Sequence, residues 1–575
     1  MLQNLPSTAS TLIDWTWAEI EPHYRDLDSR ALTAETADAW LADWSKLGEH
    51  LEELYSRLTV ATSVNTADKE AEARLNKFLD TVFPNSMAAE QKLKEKLLAS
   101  QLEPKDFAIP LRNMRAEADL FRDSNLPLLA EQQKLCLQYD KIFGAQTVTW
   151  EGEEVTLTRL AMVFQEAERG RREHAWQLKA ERQLADRQAV DELWQKFMQL
   201  RAKIARNAGK PSYREYAWQQ KLRFDYTPED CKSFQSAIEQ VVVPAATRIF
   251  ARRKKALGLE TLRPWDLTDG WFGHPTPDPR VTVLKPYSGI DELKAGASAI
   301  FHRVDPVLGG YFDTLLKEGL TDLENRKNKA PGAYCISFTS IRRPFVFINA
   351  VGTHDDVVTT LHESGHAFHI FETAKVKYLQ QLNVPMEFNE VASMGMELLA
   401  SPYLAKKDGG FYTASEAARA RIEHLERSIL FWPFMAVVDA FQQWVYENPA
   451  AGSDPEQCDA HWAELWQRFI PAVDYTGLEE VMRTGWQRKL HIHQVPFYYV
   501  EYGMAQLGAV QIFGNALKDQ AGAVAAYRKA LALGGSVTLP ELYRTAGARF
   551  AFDAATLKRA IDLMEGTIRE LEDKI

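Results

Sequence analysis

The sequence predicts a mainly α-helical protein with a small β-sheet beside one long helix. Three observations carry this prediction: helix-period stretches dominate residues 7–204, a single alternating strand pattern lies at 344–352, and an unbroken helical pattern follows it. Hydrophobic residues at 46% and charged residues at 26% place the 575-residue chain among globular proteins, away from disordered or fibrous ones. At roughly 150 residues per domain, that length allows two to four units.

From Ser7 to about Ile204, stretches such as AETADAWLADWSKLGEHLEELYSRL return an apolar residue every three to four positions. Each such helix buries one stripe, so the Trp and Leu residues there are read as core. In ARNAGKPSYREY, Ala205 to Tyr216, Gly209 and Pro211 break the pattern and place a boundary between an N-terminal helical lobe, residues 1–205, and a second region, residues 206–575. Between Arg263 and Arg343 the chain turns richer in Pro and Gly, as in HPTPDPR and NRKNKAPGAY, and loops with short strands are expected. PFVFINAVG then alternates Phe345, Phe347 and Asn349 with Val346 and Ile348, the period of a two-faced strand. An edge strand is expected here, whose backbone near Phe347 to Ala350 would hold an extended peptide. From His354 through Thr373 a helix follows, with Asp355 and Asp356 complementing the dipole of its first turn and no internal Pro. The most apolar run, Ile429 to Val438, is about half a bilayer span and contains Pro433, which fits a buried helix. No 20-to-50-residue repeat and no low-complexity tract is present.

Asp and Glu outnumber Lys and Arg by 79 − 68 = 11, so no chain-wide basic field attracts nucleic acid or an anionic membrane. The first residues lack the cationic and apolar regions of a signal peptide. Cys136, Cys231, Cys335 and Cys458 are scattered singly, without CxxC spacing, and are read as reduced and mostly buried. A cytoplasmic protein with neither a nucleic-acid nor a membrane partner is expected.

On the helix after the strand stands LHESGHAFH, in which His362, Glu363 and His366 match HExxH. Positions i and i+4 lie only about 40° apart around a helix, so both imidazoles can reach one ion. Glu363, about 100° from His362, falls beside the open coordination position, placed to hold a water. A third ligand is needed. HExxHxxGxxH fails, because His369 and Glu372 stand where Gly and His are required. A Glu 19 positions after the second His fails too, since that residue is Pro385. The segment EFNEVASMGMELLAS reads as a second helix offering Glu387, Glu390 and Glu397 as donors. Glu387 and Glu397 also read as solvated or capping charges, with a supporting bond from Glu397 to a ligand histidine as the sharper alternative. His369 is read as structural or supporting, and Asp356 carries a weaker claim of the same kind.

HESGHAFH followed 24 positions after its second His by the Glu of EFNEVAS resembles the thimet oligopeptidase and oligoendopeptidase F family of zinc peptidases. NAGKPSYREY, RPWD, GAYC and HIHQVPFYYVEYGMAQLGA add to the resemblance, which covers roughly Ala205 to the C-terminus; the first lobe matches only in its helical character. The resemblance assigns the third-ligand role to Glu390, with one zinc per chain. It implies two largely helical lobes around a deep cleft, with zinc near the floor and access for short unstructured peptides. It also carries an oxyanion-stabilising role to His491, Tyr499 and Tyr502, with Tyr498 adjacent and His493 a second histidine nearby. In the implied mechanism zinc lowers the pKa of a water to about 7 and Glu363 serves as general base and then acid. The implied function is an oligopeptide-cleaving endopeptidase. A carboxypeptidase or dipeptidyl-releasing enzyme on the same fold, and a non-catalytic peptide-binding protein, are the competing readings.

Overall fold

In the computed structural model, residues 5–267 and 284–575 are described, and their helices follow the apolar periodicity of the sequence. The HPTPDPR stretch lies outside the described residues. Helix α1, Ala37–Val64, buries Leu41, Trp44, Leu47, Leu51, Leu54 and Leu58, one stripe at three-to-four-residue spacing. These side chains belong to an apolar cluster drawn from residues 5–114 and Tyr378. A second, larger cluster takes its members from Leu120 to Leu571. The break around Gly209, whose φ is +71°, joins the helices Arg187–Asn207 and Tyr213–Gln220 inside that second cluster.

Strands β1, Thr147–Trp150, and β2, Glu153–Thr156, form a hairpin closed by Glu151 and Gly152, both at positive φ. A three-stranded sheet is built from β3 (Thr321–Glu324), β4 (Tyr334–Phe338) and β5 (Arg343–Ala350), in the order β3-β5-β4. The expected edge strand is therefore the central one. β5 pairs in parallel with β3 and antiparallel with β4, so its main chain is not available to a peptide. Nor does it have a solvated face: Phe345 through Ile348 are all buried, and the polar Asn349 is satisfied by donating to the carbonyls of Ala330 and Gly332 at 2.7 and 2.9 Å. A buried strand carrying one well-bonded Asn mimics the alternation of an amphipathic one. The edges are β3 and β4, and β4 is the one that lines the cavity of the site. A second difference lies upstream, where two helices, Ile290–Val304 and Pro306–Lys317, occupy a stretch expected to be loops and short strands. Pro306 sits in the first turn of its helix, where a missing N–H costs nothing.

Four helices complete the frame of the site: α2 (His354–Glu372), α3 (Met386–Ala400), α4 (Ala414–Glu447) and α5 (Tyr499–Ala516). The apolar run Ile429 to Val438 lies inside α4, where all but the half-buried Phe431 are buried, and Pro433 is accommodated within the helix. Among the described residues no helix is long and apolar enough to cross a membrane. Glycines set how closely these helices approach. A Cβ on Gly365 of α2 would lie 2.5 Å from the Ala392 carbonyl oxygen and 2.7 Å from Ser393 Cα, so α2 rests directly on the backbone of α3. A Cβ on Gly508 of α5 would meet Val391 of α3 at 3.0 Å.

Candidate metal centre

The close crossing at Gly365 brings Glu390 of α3 to the two histidines of α2. Ligand atoms of His362, His366 and Glu390 lie within 4.8 Å of one another. Glu390 Oε2 stands 3.6 Å from His362 Nε2 and 3.9 Å from His366 Nε2. Donors held at about 2.1 Å around a tetrahedral ion would be about 3.4 Å apart, so the three fit a zinc site with small adjustments. Two imidazoles and one carboxylate, with space remaining on one side, are also the donor chemistry of a site that keeps a position open.

Supporting bonds fix these side chains. His362 Nδ1 lies 2.5 Å from Glu397 Oε1, and a proton there leaves the Nε2 lone pair for an ion. The other oxygen of Glu397 is 3.4 Å from His424 Nε2, so Glu397 ties its own helix α3 to both α2 and α4 and is not a solvated charge. Ser393 donates to Glu390 Oε2 at 3.1 Å. Burial disfavours a charged His362, yet the Glu397 bond and neighbouring carboxylates hold its pKa up at about 9 in the metal-free protein. Burial pushes Glu363 up to about 7, with His362 opposing and Glu390 and Glu397 adding to the rise.

The remaining candidates divide. Glu387 is buried, accepting from the Tyr226 hydroxyl at 2.6 Å, and so is neither solvated nor a ligand. His369 is buried beneath the site, and desolvation drops its pKa to about 4. Asp356 has no part in the centre. Its carboxylate accepts from the amides of Val351, Gly352 and Thr353 at 2.7 to 2.9 Å and from the Tyr287 hydroxyl at 2.5 Å, locking the β5-to-α2 turn.

His362, Glu363, His366 and Glu390 line a cavity of about 550 Å³. Its other walls come from β4 (Tyr334, Cys335, Ser337), from Glu52 of α1, and from Tyr498 and Tyr502. The cavity thus lies between the two apolar clusters. The Tyr502 and Tyr498 hydroxyls are 3.2 Å apart, and burial raises both pKa values, keeping the phenols protonated as donors. Tyr499 is not among the lining residues. It is 6% exposed, packed on Phe431 and Phe434, with the Lys489 ammonium 2.5 Å from its hydroxyl. Helix geometry explains the exchange: 498 and 502 are one turn apart on one face, whereas 499 is turned by about 100°. His491 stacks on Tyr498 at 5.8 Å and meets Tyr499 edge-on at 5.0 Å, behind the cavity wall. His493 points the other way, fully buried among Trp194, Trp486 and Tyr139. All four cysteines are unpaired, and Cys335 reaches the cavity. Sequence reasoning passed over Gly365, Glu52 and the lining role of Tyr498. The Gly inside HESGH was a readable signal for a close helix crossing; nothing local marked Glu52.

Residues 162–561 match the pattern of Peptidase family M3, and residues 13–108 that of the Peptidase M3 N-terminal domain. Oligopeptidase PepF of Bacillus subtilis (strain 168) is 23% identical over 339 residues, 58% of this chain; the match spans about half of that protein, 47%. Among solved structures, PZ peptidase A with inhibitor 2 is 25% identical with a TM-score of 0.85, over 97% of this chain and 98% of that one. A provisionally named oligoendopeptidase F from Bacillus anthracis str. Ames shares the fold at 23% identity and a TM-score of 0.80, over 97% of each chain. With residues 162–561, more than half of the chain, matching one family pattern that takes in the His362, His366 and Glu390 cluster, the chain belongs to peptidase family M3.

Proposed function

We propose that this protein is a zinc-dependent endopeptidase that hydrolyses short, unstructured peptides. The observation that carries the reading is the convergence of His362, His366 and Glu390, with Glu363 beside them, in a cavity also lined by the edge strand β4. One zinc per chain, held by those three residues, would supply a polarised water and a Lewis acid for the scissile carbonyl. Glu363 takes the water's proton and returns it to the departing amine, acting as base and then acid. Tyr502 and Tyr498 donate to the carbonyl oxygen as it gains charge, and His491 and Tyr499 hold that pair from behind. The free edge of β4 binds an extended peptide through main-chain bonds, which favours broad side-chain tolerance. Four free thiols suit a reducing compartment such as the cytoplasm.

Mass-spectrometric mapping of cuts in peptides with free and blocked ends, with and without chelator, tests this reading. Internal cuts in end-blocked peptides that vanish with chelator and return with zinc support it. Cuts that require a free C-terminus or N-terminus would instead identify a carboxypeptidase or a dipeptidyl-releasing enzyme. Peptide binding without any cut would identify a non-catalytic binder.

A further inference from the structure

Four carboxylates gather where α1 approaches the turn after β4, and three of them are satisfied within the protein. Glu49 pairs with Arg342. Glu53 pairs with Arg57 at 2.7 Å and accepts from the amides of Ser340 and Ile341 at 2.9 and 3.2 Å. Glu90 accepts from the Tyr24 hydroxyl at 2.7 Å and the Trp44 indole at 2.6 Å. Glu52 differs. Its one hydrogen bond is a long one, 3.4 Å from the Thr339 hydroxyl, and among the described residues no cation lies within ion-pair distance of it.

Glu52 is also the member of the group that lines the cavity. The cavity's carboxylates are Glu52, Glu363 and Glu390, while its guanidinium, Arg342, is already engaged by Glu49. A metal ion would neutralise the end holding Glu363 and Glu390. Glu52 would then remain the cavity carboxyl without an ion pair, its pKa raised to about 7 because burial and the nearby Glu90 and Glu49 outweigh the opposing pull of Thr339 and Arg342. A ligand bringing a positive charge there removes an electrostatic cost that the apo protein carries.

Its place along the cleft follows from β4. Cys335, near the start of the strand, and Thr339, just past its end, both line the cavity with Glu363 and Glu52, and the bond to Glu52 is made at the Thr339 end. Thr339, which touches Glu52, is four residues further on, or about 13 Å in extended chain. A peptide joining the edge of β4 in the more stable antiparallel sense would direct its N-terminal side toward Thr339.

We propose that Glu52 is a specificity-determining residue that receives a positive charge on the substrate, an α-ammonium or a Lys or Arg side chain, about four residues before the scissile bond. This rests on the peptidase reading above, and the test separates the two. Peptides of one sequence, carrying Lys, Gln or Glu at each of positions two to five before the cut, are made with free and acetylated N-termini. For each, kcat/KM is measured with the wild type, Glu52→Gln and Glu52→Lys, after thermal unfolding shows that the variants fold. The wild type should prefer Lys over Glu by about tenfold at one position, Glu52→Gln should reduce that ratio to about two or less, and Glu52→Lys should invert it. A Lys preference that survives acetylation identifies the side chain as the recognised group; an about tenfold drop in kcat/KM on acetylation in the wild type, lost in Glu52→Gln, identifies the α-ammonium. An unchanged ratio in Glu52→Gln overturns the proposal while leaving the peptidase reading intact. If the wild type cuts none of the peptides, the peptidase reading falls. Fluorescence anisotropy with the same peptides, labelled at the C-terminus, then decides on Glu52 by the same ratio in binding.

Discussion

In the proposed mechanism Glu363 and His362 are chain neighbours with separate tasks, because one residue of helix turns the side chain by about 100°. Glu363→Gln preserves the ligand set and the shape of the cavity and removes the proton shuttle alone. We expect it to keep zinc and bind peptide while turnover falls by several powers of ten, checked by elemental analysis, peptide binding and kcat. Near-normal turnover in that variant would show that another group moves the proton. The tyrosines give a sharper residue-scale contrast. Tyr502→Phe and Tyr498→Phe should each lower kcat by roughly a hundredfold with little change in KM, because a bond to a developing oxyanion acts in the transition state. Tyr499→Phe, whose hydroxyl meets Lys489 and not the cavity, should change kcat by only about threefold and show its effect mainly in thermal stability. The reverse ranking would place Tyr499 at the reacting atoms.

At the scale of elements, the proposed metal site depends on how α2 lies on α3. Gly365→Ala puts a Cβ 2.5 Å from a backbone oxygen that cannot swing aside, since Ala392 also accepts from the Tyr527 hydroxyl at 2.6 Å. The helices must separate, and Glu390 moves with α3. We expect a stability loss of about 1–3 kcal/mol by denaturant unfolding, together with loss of zinc from the purified protein. A second element-scale bond is Glu397 between His362 and His424. Glu397→Ala leaves the His362 ring free to turn and should weaken zinc affinity by about 10- to 100-fold in a chelator competition, with Glu397→Gln falling between the variant and the wild type. Equal affinity in all three would mean that packing alone orients His362.

For the whole molecule, the cavity's position between the α1 cluster and the larger one restricts what reaches Glu363. Flexible peptides of roughly 5 to 20 residues, at about 3.3 Å per residue, can thread an extended segment past β4. A folded protein offers few such segments. Native globular proteins should therefore survive incubation that consumes free peptides, as followed by gel and mass spectrometry, and efficient digestion of a native protein would refute an enclosed site.

The sequence by itself determined the helical class, the buried course of Ile429 to Val438, and the grouping of His362, Glu363 and His366, because each rests on local helical periodicity. Its 24-residue spacing to Glu390, read through a family likeness, selected the carboxylate that the structure brings to those histidines. Only the tertiary structure decided that β5 is central and that β4 is an edge, since strand order depends on partners far along the chain and not on a strand's own alternation. The same holds for the exchange of Tyr499 for Tyr498, where the start of α5 sets which face meets the cavity, and for the opposite orientations of His491 and His493. Glu52, more than 300 residues from the metal cluster, acquires its place solely because α1 packs against the β4 turn. Long-range packing is a property of the whole set of apolar surfaces, so no local pattern around Glu52 announces it.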